Sequence, residues 1–449
     1  MTKDKATVRE VAMDALVKIE KNQAYSHLLV NHTLKEAGLS HQDTGLLTEL
    51  VYGTVARRLT LDYYLSPFLN KSKKKRELWS MCCCVFLFTN VYLDRIPDRA
   101  IVHEAVTIAN KRDIKEISGL VNGVLRSIQR EGFPTFSTIE DEVTRLAIET
   151  SHPEWLLKKW IEQYSYDDAR AMALINNEPP ETSLRVNRMK TTVEQVISKL
   201  EEEGVEVVPS ELLPDLAIIV KKGNPFSTVA YQHGYFTAQD EASMLVGLLV
   251  GAEENMDVLD TCAAPGGKST HLAESLNGTG SVTSFDLHKQ KIKLINEQVA
   301  RLQLPNVTAD TQDAKTLTDR IEHAYDRVLV DAPCTGFGVI RRKPDIRWSK
   351  TEEDTNRITH TQQLILANAS QFVQPTGTLV YSTCTVDHEE NDRVVEAFLS
   401  THPFVVDEAA FERLPKQVRD NGRFGQYGLT ILPQDFQTDG FFMVALKHA

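Results

Sequence analysis

Two cysteines stand just past the ends of apolar runs. One run closes Val328-Leu329-Val330-Asp331-Ala332-Pro333-Cys334, the other Gly377-Thr378-Leu379-Val380-Tyr381-Ser382-Thr383-Cys384. A thiolate with a lowered pKa, held at such a strand end, is a nucleophile. A buried cysteine is more often a small hydrophobe, so core packing is the competing reading. A third stretch, Asp260-Thr261-Cys262-Ala263-Ala264-Pro265-Gly266-Gly267-Lys268, also follows an apolar run. Its small residues let the backbone approach a ligand, and free N–H groups at a helix start favour an anion. Asp286 closes the next run, 19 residues after Gly267, where a carboxylate suits the paired hydroxyls of a ribose. Asp310 and Asp313 follow the third run, and Asp331 the fourth.

The acids decide between two ligands. Gly267-Lys268-Ser269 copies the end of a phosphate-binding loop, and "RVLVD" would pass for its magnesium-binding strand. That loop needs a glycine where this chain has Cys262. Several carboxylates around one cleft repel a polyphosphate but suit a nucleoside and an ammonium. S-adenosylmethionine has the ribose, the ammonium and a carboxylate without phosphate, so it is the expected cofactor. No metal is expected.

The elements that must position these residues fall into three segments. Residues 1–140 read as helices, with apolar residues at three and four spacing in Val8-Val11-Ala12-Ala15-Leu16-Ile19 and a nearly all-apolar central helix from Leu78 to Leu93. Cys82, Cys83 and Cys84 lie in that helix and read as core. Residues 141–230 combine helices with a small α+β unit: strands at 183–187, 205–208 and 216–221 and a helix from Val193 to Glu203. Residues 231–449 alternate strand and helix, which implies a doubly wound parallel sheet. Strands are expected at 256–261, 281–286, 305–309, 326–331 and 377–382, with a last one at 440–446. Helices are expected near 268–276, 288–302, 314–322 and 353–373.

Bulk properties exclude some classes. With 42% hydrophobic and 25% charged residues the 449-residue chain reads as globular, and no uncharged apolar stretch reaches a membrane span. The start lacks a signal sequence, and the six cysteines form neither a disulfide framework nor a metal-ligand spacing, so a cytoplasmic protein with reduced thiols is expected. A monomer is the default. Net charge is −12, unevenly spread: residues 1–134 hold 20 Lys+Arg against 15 Asp+Glu. A positive front end on an acidic body suits local docking of a polyanion, with Lys71-Ser72-Lys73-Lys74-Lys75-Arg76 its densest patch. Arg341-Arg342-Lys343 and Arg347-Trp348 combine cations with an aromatic ring and are expected to touch RNA.

"DTCAAPGGKSTHLAESL", "SFDLHKQKI", "VDAPCTGFGVIRRKPDIRW" and "YSTCTVDHEEND" resemble successive motifs of the RNA cytosine-5 methyltransferases of the NOL1/NOP2/Sun family. "GYFTAQDEASML" (234–245) is similar to that family's segment before the first strand, and "LVNGVLRSI" to the NusB RNA-binding domain. The resemblance spans almost the whole chain. It implies an all-α NusB-like domain, a small α+β RNA-binding domain and a Rossmann-like class I methyltransferase domain. It implies methyl transfer from S-adenosylmethionine to C5 of an RNA cytosine, with cytosine 967 of 16S ribosomal RNA the expected target. Cys384 is then the nucleophile on C6, Cys334 assists elimination and release, and Asp331 holds the cytosine edge. The loop from Cys262 through Ala263, Ala264, Pro265, Gly266 and Gly267 to Lys268 borders the cofactor with Asp286, Asp313 and Asp331. Two alternatives remain: a transfer RNA substrate, and an RNA-binding assembly factor with a vestigial catalytic domain. Before the resemblance, the residues leave open which cysteine attacks.

Overall fold

The computed structural model describes residues 6–22, 41–68, 98–111 and 115–449, with positions 33, 84, 85, 87, 89, 91 and 92. The cluster Lys71–Arg76, Cys82, Cys83 and much of the expected 78–93 helix lie outside the described residues. These residues divide into two units, 1–178 with 340–349, and 179–339 with 350–449.

The first unit is helical. Val8–Asn22, His41–Ala56, Arg58–Leu65, Asp98–Lys111 and Lys115–Glu131 bury the apolar stripes that their spacing lays down, with Leu16, Leu50, Val51, Ile108, Val121 and Leu125 in one core. Cys84 lies in that core, as its apolar surroundings predict. Helices Glu142–Thr150, Glu154–Gln163 and Tyr166–Ile175 complete the unit. The Asp141 side chain caps the first of these, accepting from the Thr144 N–H at 2.7 Å.

The second unit opens with a four-stranded antiparallel sheet of β1 (Thr182–Val186), β2 (Glu206–Pro209), β3 (Ala217–Lys222) and β4 (Phe236–Ala238), in the order β2-β3-β1-β4. The helix Val193–Glu202 packs on it behind a Thr192/Gln195 capping box. Strand β4 is not among the sequence expectations; it pairs antiparallel with β1.

A larger sheet follows: β5 (Asp257–Asp260), β6 (Ser281–Asp286), β7 (Val307–Thr311), β8 (Tyr325–Asp331), β9 (Val373–Thr383), β10 (Phe404–Val406), β11 (Arg423–Phe424), β12 (Leu429–Ile431) and β13 (Phe441–His448). Its order is β11-β12-β13-β9-β8-β5-β6-β7, with β10 beside β13. Strands β5 to β9 pair parallel, as expected, but β13 runs antiparallel to β9, so the sheet is mixed rather than wholly parallel. The helix expected at 314–322 is only a 3-10 turn, Leu317–Asp319. There the Leu317 N–H donates to the Asn368 side chain at 2.9 Å instead of to a helical carbonyl, and Gln312 donates to the Thr316 carbonyl at 2.8 Å.

The topology answers why two strands end in cysteine. β5 lies between β6 and β8, so the strand order reverses there and the loop after it opens at the crevice where such sheets bind ligands. β8 and β9 are neighbours in parallel register, Asp331 opposite Ser382, so the loops carrying Cys334 and Cys384 leave the sheet side by side.

Candidate active site

Cys334 Sγ and Cys384 Sγ lie 3.3 Å apart, both partly buried and both free thiols. The hydrogen bond with Cys384, then burial, then the negative charges of Glu390 and Asp331 hold the Cys334 thiol well above the ordinary range.

Beside the sulfurs, Lys268 Nζ donates to Asp331 Oδ2 at 2.8 Å, and the Ser382 hydroxyl donates to Asp331 Oδ1 at 2.8 Å. Burial works against the Lys268 charge, but Asp331, with Cys384 and Asp260 behind it, keeps its pKa raised. The ring of Phe441 lies 4.9 Å from Nζ. Lys268, placed by sequence in the cofactor loop, thus joins that loop to the catalytic strand ends. Because Asp331 occupies it, it is not poised for a phosphate, and the donor set around the loop is acidic.

The loop runs from Thr261 to Gly266, and the helix Gly267–Ser275 starts directly behind it. Gly266 adopts φ 105°, a left-handed conformation, and a Cβ there would come within 3.3 Å of the Ile295 backbone, so only glycine turns the chain here. Opposite, Asp286 at the end of β6 is buried; it accepts from the Ala264 N–H at 3.3 Å and the His288 N–H at 3.1 Å. The carboxylate that suits a ribose therefore also braces the loop that would border it. Asp313 lies after β7, partly exposed, accepting from the Lys315 N–H at 2.9 Å. Asp310 pairs with Arg320 at 2.7 Å. Cys262 is held as an inert thiol: burial chiefly, and nearby carboxylates, push it up. A glycine-shaped loop with strand-end carboxylates beside it suits S-adenosylmethionine; Lys291 approaches Asp286 at 3.6 Å.

Three supporting residues escaped the sequence reading. Arg185 of β1 is fully buried and donates to the Gly267 carbonyl at 2.7 Å, to Thr270 at 3.0 Å and to both oxygens of Glu274 at 2.8 and 3.0 Å, and it bonds Gln239. Ser269 donates to the buried Asp260 at 2.6 Å. Ser382 orients Asp331. Ser269 and Ser382 lie inside quoted motifs and Arg185 in the expected strand 183–187, but nothing local to a sequence tells that Arg185 turns inward to a partner 89 residues away.

The segment 340–349 corrects an expectation. Arg347 is fully buried within the helical unit, donating to the carbonyls of Ala56 at 3.1 Å, Ser151 at 3.0 Å and Asn176 at 3.2 Å. These carbonyls belong to helix C-termini, whose unpaired oxygens and dipoles attract a cation. Burial and the nearby Arg57 lower its pKa to about 9. The Trp348 indole donates to the Val55 carbonyl at 2.8 Å. The guanidinium of Arg347 therefore holds structure and is closed to RNA, whereas Trp348, Arg341 and Arg342 are half-buried and Lys343 exposed.

Comparison with known proteins agrees with this architecture. Residues 247–447 match the model of the 16S rRNA methyltransferase RsmB/F family, residues 6–130 the NusB family, and residues 152–227 the ferredoxin-like domain of RsmF/B-like methyltransferases. The chain is 48% identical over 445 residues to the probable ribosomal RNA small subunit methyltransferase B of Bacillus subtilis, covering 99% of each. It is 30% identical over 391 residues to ribosomal RNA small subunit methyltransferase B of Proteus mirabilis, covering 87% of this chain and 91% of the relative. The crystal structure of PH0851 superposes with a TM-score of 0.78 at 25% identity, covering 99% of this chain and all of that one. Sheet, loop and partner domains together define a multidomain methyltransferase with a Rossmann-like catalytic domain. The chain belongs to the 16S rRNA methyltransferase RsmB/F family.

Proposed function

We propose that this protein transfers a methyl group from S-adenosylmethionine to C5 of a cytosine in 16S ribosomal RNA, cytosine 967, through a covalent Cys384–C6 adduct. The observation that carries this reading is the pair of free sulfurs 3.3 Å apart at the ends of adjacent parallel strands. C5 of cytosine is a poor nucleophile. Addition of the Cys384 thiolate to C6 makes the ring enamine-like and nucleophilic at C5. The target base must leave its stack to reach two sulfurs recessed at the carboxyl end of two central strands. Asp331, fixed by Lys268 and Ser382, is set to hold the cytosine edge. Cys334, beside the attacking sulfur, assists the later loss of the C5 proton and departure of Cys384. The loop from Cys262 to Lys268, with Asp286 and Asp313, would hold S-adenosylmethionine, which supplies an electrophilic methyl group when bound. The NusB-like and ferredoxin-like domains supply RNA contacts, and the reaction belongs in the cytoplasm.

The test is a nucleoside analysis. Small-subunit ribosomal RNA from a strain lacking the gene is incubated with protein and methyl-labelled S-adenosylmethionine, then digested. Label in 5-methylcytidine supports the reading. Label in another nucleoside, or only in added transfer RNA, overturns it, and no label at all returns the assembly-factor alternative.

A further inference from the structure

Glu390 and Asn391 follow the second cysteine, both are fully buried, and the chemistry above gives neither a task. An interior carboxylate or amide persists only where partners satisfy it. Glu390 is satisfied around Cys334. One oxygen accepts from the Thr335 N–H at 2.9 Å and from Gln362 Nε2 at 2.9 Å; the other bonds the Thr335 hydroxyl. Gln362 Nε2 also donates to the Pro333 carbonyl at 2.9 Å, so both neighbours of Cys334 are tied to the Glu390–Gln362 pair.

Asn391 does the same for Cys384. Its Oδ1 accepts from the Thr383 hydroxyl at 2.6 Å, and its Nδ2 donates to the Thr385 carbonyl at 3.1 Å. Two cross-links join the halves: the hydroxyls of Thr335 and Thr385 meet at 3.1 Å, and the Tyr381 hydroxyl donates to the Glu390 carbonyl at 2.6 Å. Adjacent residues thus each hold the flanks of a different cysteine. A buried polar network fixes one geometry where apolar packing would tolerate several.

We propose that Glu390 and Asn391 are positioning residues forming a two-part clamp, Glu390 with Gln362 setting Cys334 and Asn391 setting Cys384. The proposal rests on the two-cysteine reading above and adds that the roles are separable through the clamp. In attack, a bond forms between Cys384 Sγ and C6, and the ring's electron pair moves to C5. In elimination, the C5 proton goes to a base, its electrons restore the C5–C6 double bond, and Cys384 leaves with the sulfur–carbon pair. Loosening Asn391 affects the first step, and loosening Glu390 the second.

The experiment is a denaturing gel of full-length protein with substrate RNA and S-adenosylmethionine, with melting temperature and cofactor affinity measured alongside. Glu390→Ala should accumulate a covalent protein–RNA band, whereas Asn391→Ala should give no band and slow transfer. Glu390→Gln should remove the band, because its amide oxygen can accept from both N–H donors while its NH₂ donates to the Thr335 hydroxyl. Asn391→Asp should not rescue, since it places an acceptor against the Thr385 carbonyl. If Glu390→Ala does not fold, Thr335→Val, which removes the hydroxyl bonded to Glu390 and with it the Thr385 cross-link, and Thr383→Val, which removes the hydroxyl bonded to Asn391, should reproduce the band and its absence. Equal loss in both halves with no difference in band, or failure of Glu390→Gln to rescue, overturns the clamp alone. A wild-type protein that methylates no cytosine overturns the underlying reading and the clamp with it.

Discussion

At the scale of single residues, the acids at the strand ends carry different loads. Asp286, proposed above to hold the cofactor, accepts from the Ala264 and His288 N–H groups. Removing it takes away charged hydrogen bonds worth about 1.5–3 kcal/mol, so Asp286→Ala should weaken S-adenosylmethionine binding roughly tenfold or more with little change in RNA affinity. An unchanged cofactor dissociation constant by calorimetry would take Asp286 out of the site. Asp260 behaves differently: burial raises its carboxyl to about 7, the Ser269 bond opposing and the Asp331 charge reinforcing. In the folded state it holds a proton that the unfolded chain releases from about pH 4 upward. Its protonation therefore stabilises the fold at low pH, and that contribution is lost as pH rises towards 7. Asp260→Asn should remove this loss, so the variant's melting temperature relative to wild type should climb between about pH 5 and pH 8. A pH-independent difference would contradict the assignment.

At the scale of elements, strand β1 of the small sheet and the helix Gly267–Ser275 behind the cofactor loop share one buried ion pair. Arg185 and Glu274 meet at 2.8 Å with side chains almost wholly inaccessible. Removing one partner strands a charge in the interior, so Arg185→Met should cost about 3–5 kcal/mol of stability in denaturant. Arg185→Met with Glu274→Met should recover much of that, and a single variant as stable as wild type would show the pair to be dispensable. The same pair marks how far sequence carries. Strands β5, β6, β8 and β9 and both cysteine loops are legible because apolar runs end in chemistry-bearing residues. The 314–322 helix fails because Asn368, distant in sequence, captures the Leu317 N–H. Arg347 fails similarly: cation plus aromatic reads as an RNA contact until three helix C-termini claim the guanidinium. Glu390 and Asn391 are visible as residues in "YSTCTVDHEEND", but Glu390 finds its side-chain partners in two other stretches of chain, at Thr335 and at Gln362.

At the scale of the whole molecule, charge is divided by function. The first 134 residues carry a net of +5 on a chain of net −12, so the attraction for a polyanion is concentrated in that part of the sequence. Phosphate contacts strengthen binding without choosing a base. Replacing the five charges of Lys71–Arg76 by Ser should therefore flatten the salt dependence of RNA binding while the methylated position stays the same. A salt slope equal to wild type would show that this cluster is only solvated.

If the two sulfurs 3.3 Å apart perform successive steps, one gel separates them. Cys384→Ala, Cys334→Ala and the double variant are incubated with substrate RNA and S-adenosylmethionine and run under denaturing conditions. Cys334→Ala should form the adduct and fail to resolve it, giving a slow band of protein joined to methylated RNA. Cys384→Ala and the double variant should give none. A band in Cys384→Ala instead, or full activity in both single variants, would contradict the account.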